Sequence, residues 1–300
     1  MESGGEQMMN DLFHTRKKAC IFDLDGTLAD TVASIAYSGN QTLAAFGYAP
    51  LPEKNYNYYA GDGAKELARR FLSAARAQSK LENSANGAPP ARFSARWSEI
   101  REYGGAQKSG EQAQSEREER GAGASEKAQF LSDASQEWKR AQSIPDDDAE
   151  FVQVFRKYKE IFAEYCMYQV RPFDGIPELL SELRRRGIRT AVLSNKPHLQ
   201  TIDVVERIFG KDCFDWVQGQ QDGVPKKPAP DGALQIAARF GAKPEECIYS
   251  GDTNTDMQTG NAAGMLTLGV LWGFRDEQEL LDNHAMALLK TPLEMLDYLG

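Results

Sequence analysis

The sequence lacks the features by which membrane-spanning and secreted proteins are usually recognised. Its longest uncharged stretch, residues 257–274, is interrupted by Gln, Asn, Thr and four Gly, whereas a spanning helix needs about 20 predominantly apolar residues. Residues 1–18 contain no apolar segment of the kind found in a secretory signal peptide. We therefore expect a cytoplasmic protein that does not bind a membrane.

Cysteine and histidine are scarce, and their spacing fits neither a disulfide framework nor a zinc site. The chain has four cysteines and three histidines, and no Cys-x-x-Cys pair. Basic residues are also outnumbered, 35 Lys and Arg against 44 Asp and Glu, for a formal net charge of -9. This acidic balance argues against a general nucleic-acid binder. The glycine motifs of nucleoside-triphosphate and dinucleotide binding are missing as well.

Apolar residues are rare between residues 83 and 149, where only five Leu, Ile, Val or Phe occur among 67 residues. Such a segment buries too little apolar surface to offset its ordering entropy, so we predict a flexible insertion. Trp97 and Trp138 leave room for short helices within it. The insertion is either a tolerated surface loop or an element that binds a partner. Residues 1–18 are predicted to form a flexible tail.

Elsewhere, short apolar runs alternate with helical patterns. This alternation is typical of βαβ units and predicts an α/β fold with a doubly wound parallel sheet. A long helical pattern also covers residues 30–82. The predicted strands are residues 19–24, 189–194, 214–218, 247–249 and 267–271. The predicted later helices are residues 151–165, 176–186, 198–209, 231–240 and 256–263.

Reactive side chains follow four of these strands at their carboxyl ends. Ligands of an open parallel sheet bind beyond that edge, so we expect these side chains to lie together. In chain order they are Asp23 and Asp25, then Ser194 and Asn195, then Lys227, and finally Asp252 and Asp256.

That set of side chains has a consistent chemistry. Clustered carboxylates raise one another's pKa unless a cation offsets their charge, and Mg²⁺ prefers hard oxygen ligands. Lysine and serine can hold a phosphate, and a carboxylate can act as a nucleophile with a second one as general acid and base. Each motif alone also fits a turn, a helix cap or a solvated loop. The four motifs in order, each at a strand end, favour phosphate chemistry.

Four stretches resemble, in order, the motifs of the haloacid dehalogenase-like hydrolase superfamily: Asp23-Leu-Asp-Gly-Thr-Leu-Ala-Asp-Thr31, Val192-Leu-Ser-Asn195, Lys227-Pro228 and Gly251-Asp-Thr-Asn-Thr-Asp256. The resemblance covers residues 19–77 and 150–300. It implies a doubly wound core with an inserted helical cap domain. The implied boundaries are 19–30 and 171–300 for the core, 31–82 and 150–170 for the cap, and 83–149 for an insertion within the cap.

The resemblance also implies a role for each motif residue. Asp23 becomes the nucleophile, and Asp25 protonates the leaving oxygen and then activates water. A second aspartate at this position favours a phosphatase or phosphomutase over a dehalogenase. The implied phosphate-binding residues are Ser194, Asn195 and Lys227. The implied Mg²⁺ ligands are the Asp23 carboxylate, the Asp25 backbone carbonyl, Asp252 and Asp256, the last directly or through water.

Residues 58–67 resemble the cap loop of the phosphoglycolate phosphatases of that superfamily. Gly61, Asp62 and Gly63 are therefore predicted to form a substrate-specificity loop, whose glycines let the backbone approach the substrate. We expect Mg²⁺-dependent hydrolysis of a small phosphorylated metabolite, 2-phosphoglycolate, by a monomer or homodimer. A pyrophosphatase, a sugar-phosphate phosphatase and a phosphomutase remain alternatives. A non-catalytic scaffold that binds a partner through the insertion is the alternative from a different class.

Overall fold

The computed structural model describes residues 12–86 and 144–300. Most of the predicted insertion, including Trp97 and Trp138, lies outside the described residues. Within the described part, no helix has both the length and the apolar character needed to cross a membrane.

Contacts between residues divide the chain into two units. The first comprises Met1–Ser38, Pro52–Leu67 and Lys159–Gly300, and the second comprises Gly39–Leu51 and Ala68–Tyr158.

A six-stranded parallel sheet forms the centre of the first unit, as the alternating pattern predicts. The strands of the described residues are β1 (Ala19–Phe22), β2 (Ala29–Asp30), β3 (Arg171–Pro172), β4 (Arg189–Pro197), β5 (Trp216–Gln220), β6 (Cys247–Gly251), β7 (Leu266–Val270) and β8 (Ala287–Leu289). The sheet has the order β5-β4-β1-β6-β7-β8, while β2 and β3 pair separately in antiparallel fashion. Because β1 lies between β4 and β6, the first motif is next to the second and the fourth.

Side chains from β1, β4 and β6 alternate between two apolar cores, one on each face of the sheet. Phe22, Val192 and Ile248 belong to one core, whereas Ile21 and Tyr249 belong to the other. A parallel sheet covered on both faces requires continuous apolar strands, which is what the sequence pattern indicates.

Helices flank the strands, with boundaries close to most of those predicted. The pattern over residues 30–82 is divided into separate helices around Pro50 and Pro52, since proline cannot donate a backbone hydrogen bond. β4 is longer than predicted, and β8 was not predicted because three residues carry too short a pattern. The α-helices from residue 32 onward in the described part are α1 (Val32–Ala45), α2 (Tyr56–Tyr59), α3 (Ala64–Asn86), α4 (Ala149–Tyr165), α5 (Ile176–Arg185), α6 (His198–Phe209), α7 (Asp231–Arg239), α8 (Asn254–Ala262) and α9 (Glu277–Asp282).

The last part of the predicted tail is packed into the first unit. Lys17 is buried, and its Nζ donates to the backbone carbonyls of Leu12 at 2.5 Å and Glu245 at 2.8 Å. The flexible tail predicted for residues 1–18 is therefore wrong for residues 12–18. A polar composition does not reveal that a lysine stem packs in the interior while its ammonium bonds to carbonyls.

In the second unit, helices α3 and α4 pack through aromatic side chains and paired arginines. The rings of Phe71 and Tyr158 lie 5.5 Å apart between their centroids. Arg69 donates to the backbone carbonyl of Ile144, and Arg76 donates to Asp148 at 2.9 Å. The end of the predicted insertion, residues 144–149, is thus tied to α3, and the boundary predicted for a flexible segment is too late.

Candidate active site

Three of the predicted carboxylates meet at the carboxyl edge of the sheet. Asp23 follows β1, Asp252 follows β6, and Asp256 lies in the first turn of α8. One oxygen of each lies within 4.8 Å of the others, and all three side chains are buried. The topology therefore brings Asp23 together with two residues that lie more than 220 positions later in the sequence.

Lys227 inserts its ammonium between two of these carboxylates. Its Nζ lies 2.9 Å from Asp23 Oδ1 and 2.7 Å from Asp256 Oδ1. Burial alone would lower the pKa of Lys227, but the negative charges of Asp23 and Asp256 outweigh that effect and raise it well above its ordinary value. The lysine therefore stays protonated and supplies a fixed positive charge.

One lysine does not neutralise three buried carboxylates. Burial raises the pKa of Asp23 to about 7, although the Lys227 charge opposes that rise. Burial, together with the negative charges of Asp256 and Asp23, also raises the pKa of Asp252 well above its ordinary value. The site thus favours an additional positive charge, from either protons or a cation.

Two neighbours hold the carboxylate of Asp252 in a fixed orientation. Its Oδ1 accepts from Thr27 Oγ1 at 2.8 Å, and its Oδ2 accepts from the Phe274 backbone N–H at 2.8 Å. The fit around it is close, because a Cβ added to Gly26 would lie 2.2 Å from Asp252 Oδ2. Gly26 has a φ of +86°, so the first-motif turn needs glycine for its conformation as well as for this contact.

Asp256 is held from four directions. Its Oδ1 accepts from Lys227 Nζ and from Tyr249 OH at 3.2 Å, and its Oδ2 accepts from the backbone N–H and Oγ1 of Thr253. Thr253 is also the N-cap of α8, accepting in return from the Asp256 N–H. Four hydrogen bonds fill the lone-pair sites of the Asp256 oxygens, whereas Asp252 accepts two from the described residues. Asp256 is therefore better suited to orienting Lys227 than to binding a metal directly.

The donor set fits a magnesium ion. The carboxylates of Asp23 and Asp252 are hard oxygen ligands of the kind that Mg²⁺ takes. Lys227 is in ion-pair distance of Asp23 Oδ1, yet this buried oxygen accepts no well-directed hydrogen bond from the described residues. Because one lysine does not balance the three buried carboxylates, these oxygens are suited to a further cation.

Asp25 is placed apart from this cluster. Its side chain is partly exposed, and its Oδ1 accepts from Lys196 Nζ at 2.7 Å. Its carboxylate is not part of the three-aspartate group. The two aspartates of the first motif therefore point to different environments.

Ser194 and Asn195 lie in β4 near its carboxyl end and are buried, but they are bonded differently. Ser194 Oγ accepts from the Lys196 backbone N–H at 3.2 Å, which leaves its proton to donate. Asn195 donates both amide protons to backbone carbonyls, of Gly61 and Lys227, and accepts from the Lys227 N–H. This bonding favours a scaffolding role for Asn195 over the phosphate contact that the sequence predicts.

The predicted specificity loop is tied to the second and fourth motifs and to the residue just before the third. Asn195 bonds to Gly61, Lys226 Nζ donates to the Asp62 backbone carbonyl at 2.8 Å, and Thr255 Oγ1 donates to the Asp62 carboxylate at 2.6 Å. Gly61 and Gly63 both have positive φ values, of 111° and 91°. The loop thus lies at the carboxyl edge of the sheet. Its glycines carry no Cβ, which allows the loop backbone to come close to a neighbouring group.

Sequence reasoning missed several residues that build this site. Lys196 directly follows Ser194-Asn195, and extending that motif by one residue would have included it. Arg275 is buried and donates to the backbone carbonyls of Asn57 and Ala60, just before the specificity loop. Thr27 and Tyr249 act by holding carboxylates, and only the folded chain shows such contacts.

Comparison with known proteins agrees with this geometry. The family model described as haloacid dehalogenase-like hydrolase matches residues 17–264. Phosphoglycolate phosphatase of Aquifex aeolicus is 23% identical over 282 residues, covering 89% of this chain and 98% of that protein. Phosphoglycolate phosphatase of Escherichia coli K12 is 24% identical over 257 residues, covering 84% and 81%.

Solved structures share the fold. A Lactobacillus delbrueckii protein superposes with a TM-score of 0.70 at 24% identity, covering 95% of this chain and 99% of its own. A haloacid dehalogenase-like hydrolase from Streptococcus pneumoniae gives a TM-score of 0.60 at 20% identity, covering 95% and 99%. The match of the family model over most of the chain, together with four motifs at one sheet edge, shows that the chain belongs to the haloacid dehalogenase-like hydrolase family.

Proposed function

We propose that this hydrolase is a Mg²⁺-dependent phosphatase that cleaves a small phosphomonoester, 2-phosphoglycolate, through an aspartyl-phosphate. The observation that carries the proposal is the pairing of Asp23 with Lys227 inside a buried carboxylate cluster, while Asp25 is held separately and partly exposed. A nucleophile with a nearby cation and a second carboxylate for proton transfer is the minimum that this reaction needs.

In the first step, an Asp23 carboxylate oxygen attacks phosphorus. A phosphorus–oxygen bond to Asp23 forms while the ester bond breaks, and its electron pair leaves with the substrate oxygen. Asp25 gives that oxygen a proton. Ser194 and Lys227 hold the phosphoryl oxygens and offset their charge, which is the main requirement of phosphoryl transfer.

In the second step, Asp25, now a carboxylate, removes a proton from water. The water oxygen bonds to phosphorus, the bond to Asp23 breaks, and inorganic phosphate leaves. Asp23, the Asp25 backbone carbonyl and Asp252 would hold Mg²⁺, and Asp256 would fix Lys227. When bound, the ion supplies positive charge that offsets the charge on the transferring phosphoryl group.

The choice of substrate rests on relatives and on the specificity loop. The Aquifex aeolicus and Escherichia coli relatives are phosphoglycolate phosphatases that the chain covers over most of their length. In this chain Gly61, Asp62 and Gly63 lie beside motif residues at the carboxyl edge. We infer that this loop contacts the part of the substrate beyond the phosphate.

The domain assignment belongs to the same proposal. The sheet and all four motifs lie in the first unit, which supports a catalytic core at residues 19–30 and 171–300. The cap at 31–82 and 150–170 would select small substrates, as lids do in other enzymes. The widely spaced cysteines support a reducing cytoplasm as its location.

The test is phosphate release from 2-phosphoglycolate beside phosphosugars, nucleotides and pyrophosphate, with Mg²⁺ and with EDTA. We expect Mg²⁺-dependent release, highest for 2-phosphoglycolate. Asp23→Asn should lower kcat by about a thousandfold or more, because it removes the nucleophile at nearly constant shape. Asp174→Asn, an exposed aspartate outside the cluster, is the matched control and should keep full activity.

Each outcome has a separate meaning. Release from another substrate only would reject 2-phosphoglycolate but keep the mechanism. Equal activity of wild type and D23N would reject the mechanism. A folded, metal-supplemented protein that releases no phosphate from any substrate would favour the scaffold alternative.

A further inference from the structure

A second buried lysine lies at the site, and the mechanism proposed above does not use it. Lys196 belongs to β4, two residues beyond Ser194, and its side chain is only 3% exposed. Its ammonium donates to Asp25 Oδ1 at 2.7 Å and lies 4.7 Å from the centre of the Phe162 ring. Within the described residues, Asp25 is the carboxylate that pairs with this charge.

The two buried lysines divide the two aspartates of the first motif between them. Lys227 pairs with Asp23, the nucleophile, whereas Lys196 pairs with Asp25, the proton donor and acceptor. Only one Asp25 oxygen accepts a hydrogen bond from the described residues, so the other oxygen is available for proton exchange. Asp25 keeps 16% of its side chain exposed, in contrast to the buried Asp23.

Proton transfer depends strongly on where the carboxyl group is held. A general acid must come within about 2.6–3.2 Å of its target oxygen, and a misplacement of about 1 Å can cost a hundredfold in rate. A short, partly exposed aspartate can adopt several rotamers unless it is tied down. The ammonium is itself confined by burial and by the aromatic face, which gives Asp25 a fixed anchor.

We propose that Lys196 is a positioning residue that holds Asp25 in the orientation for proton transfer to and from the reacting oxygens. This inference rests on the proposed phosphatase function and adds a residue to it. Lys196 acts through Asp25 and has no role in holding the phosphoryl group. Its removal should therefore harm the steps that need a proton from Asp25 and spare those that do not.

The test compares leaving groups in the variant Lys196→Met. An alkyl phosphomonoester needs a proton on its leaving oxygen, whereas para-nitrophenyl phosphate leaves as a stable anion. We expect kcat/KM for the alkyl ester to fall by about tenfold or more and for the aryl ester by less than about threefold. Lys211→Met, which alters a lysine that is 79% exposed, is the matched control and should match wild type on both esters.

A double-mutant cycle with Asp25→Asn provides the second readout. If Lys196 acts through Asp25, K196M should add less than about twofold to the loss already caused by D25N. The conservative variant Lys196→Arg keeps the charge and should recover most of the alkyl-ester activity. If K196M does not fold, as checked by its thermal melt, Lys196→Ala takes its place, because its short side chain cannot donate to Asp25.

The proposal and the function on which it rests fail in distinguishable ways. Suppose that wild type is active and D23N inactive. The role of Lys196 is then overturned if K196M loses equal activity on both esters, or if its loss multiplies fully with that of D25N. If D23N matches wild type, or if wild type is inactive, the phosphatase mechanism fails and the role of Lys196 fails with it.

Discussion

Opposite edges of the same sheet each contain a buried lysine, but the two lysines have different partners. At the amino edge, Lys17 donates to the neutral backbone carbonyls of Leu12 and Glu245. At the carboxyl edge, Lys227 lies between the carboxylates of Asp23 and Asp256. Burial lowers the pKa of Lys17, whereas the two carboxylates raise the pKa of Lys227 despite its burial.

The difference separates a lysine that supports the fold from a lysine in the candidate site. Lys17 secures the chain before β1 and satisfies carbonyl groups that would otherwise be buried without donors. Lys227 is one cation among three buried carboxylates, a charge excess that nothing in fold stability requires. Burial alone therefore does not identify a site; an incompletely balanced charge at the ligand-binding edge does.

The largest effect should come from replacing the two lysines in turn. Lys227→Met leaves buried carboxylates without their cation, and breaking a buried ion pair costs about 3–5 kcal/mol of unfolding free energy. Lys17→Met removes two hydrogen bonds to carbonyls and should cost about 1–3 kcal/mol. Denaturant unfolding in EDTA measures both, and phosphate release should be lost in K227M and kept in folded K17M.

That result would separate the two edges by function as well as by stability. A K17M protein that is folded but inactive would contradict the distinction. So would a K227M protein with wild-type turnover.

A pair of glycines offers a sharper comparison, because both have positive φ values. Gly26 at the carboxyl edge has a φ of +86°, and Gly187 just before β4 at the amino edge has a φ of +72°. An added Cβ meets Asp252 Oδ2 at 2.2 Å in the first case and nothing within 4 Å in the second. Alanine at either position costs about 1–2 kcal/mol in backbone strain.

Only Gly26→Ala should also displace the Asp252 carboxylate. We expect G26A to lower kcat/KM by about a hundredfold, the cost of a shift of about 1 Å in an active site, while G187A keeps the wild-type rate. Steady-state kinetics and thermal melts of both proteins check this. Equal activity of the two variants would show that the close fit around Asp252 is not needed.

The smallest effect concerns the pH dependence of stability at the amino edge. Burial holds the pKa of Lys17 below its ordinary value of 10.5 in the folded protein. Between the folded and unfolded pKa values the unfolded chain binds more protons, so this lysine makes stability rise with pH in that window. The stability of wild type relative to K17M should therefore increase as pH approaches 10.5, measured by denaturant unfolding. A difference that stays flat or declines with pH would contradict this assignment.

The sheet could be predicted because each of its longer strands has a local hydrophobic pattern in the sequence. A strand buried on both faces must be apolar along its length, and β1, β6 and β7 are found close to their predicted positions. The end of α5 was predictable for the same reason, since Gly187 supplies the left-handed conformation after its last turn. β8 was missed because its three residues are too few to show a periodic pattern. The packing of Lys17 was missed because a single lysine shows no pattern at all.

Most residues of the candidate site could be predicted from the sequence, but the contacts that each of them makes could not. Strand-end placement identified Asp23, Asp252 and Lys227, and the structure brings them together. No local pattern separates Asn195, whose amide bonds to the backbone, from Ser194, whose hydroxyl can still donate. Lys196 was missed, since its importance depends on a contact with Asp25 from another strand.

What the sequence by itself determined is the chemistry of each motif and the order in which the motifs occur. Residue types and their positions relative to strand ends are local properties, and parallel strands direct their carboxyl ends to one edge. The tertiary structure alone decided which cation faces which carboxylate: Lys227 faces Asp23, and Lys196 faces Asp25. Each pairing joins an aspartate that follows β1 to a lysine about 170 to 200 positions away. The interaction between two buried charges depends on their distance in space, and no local sequence pattern encodes that distance.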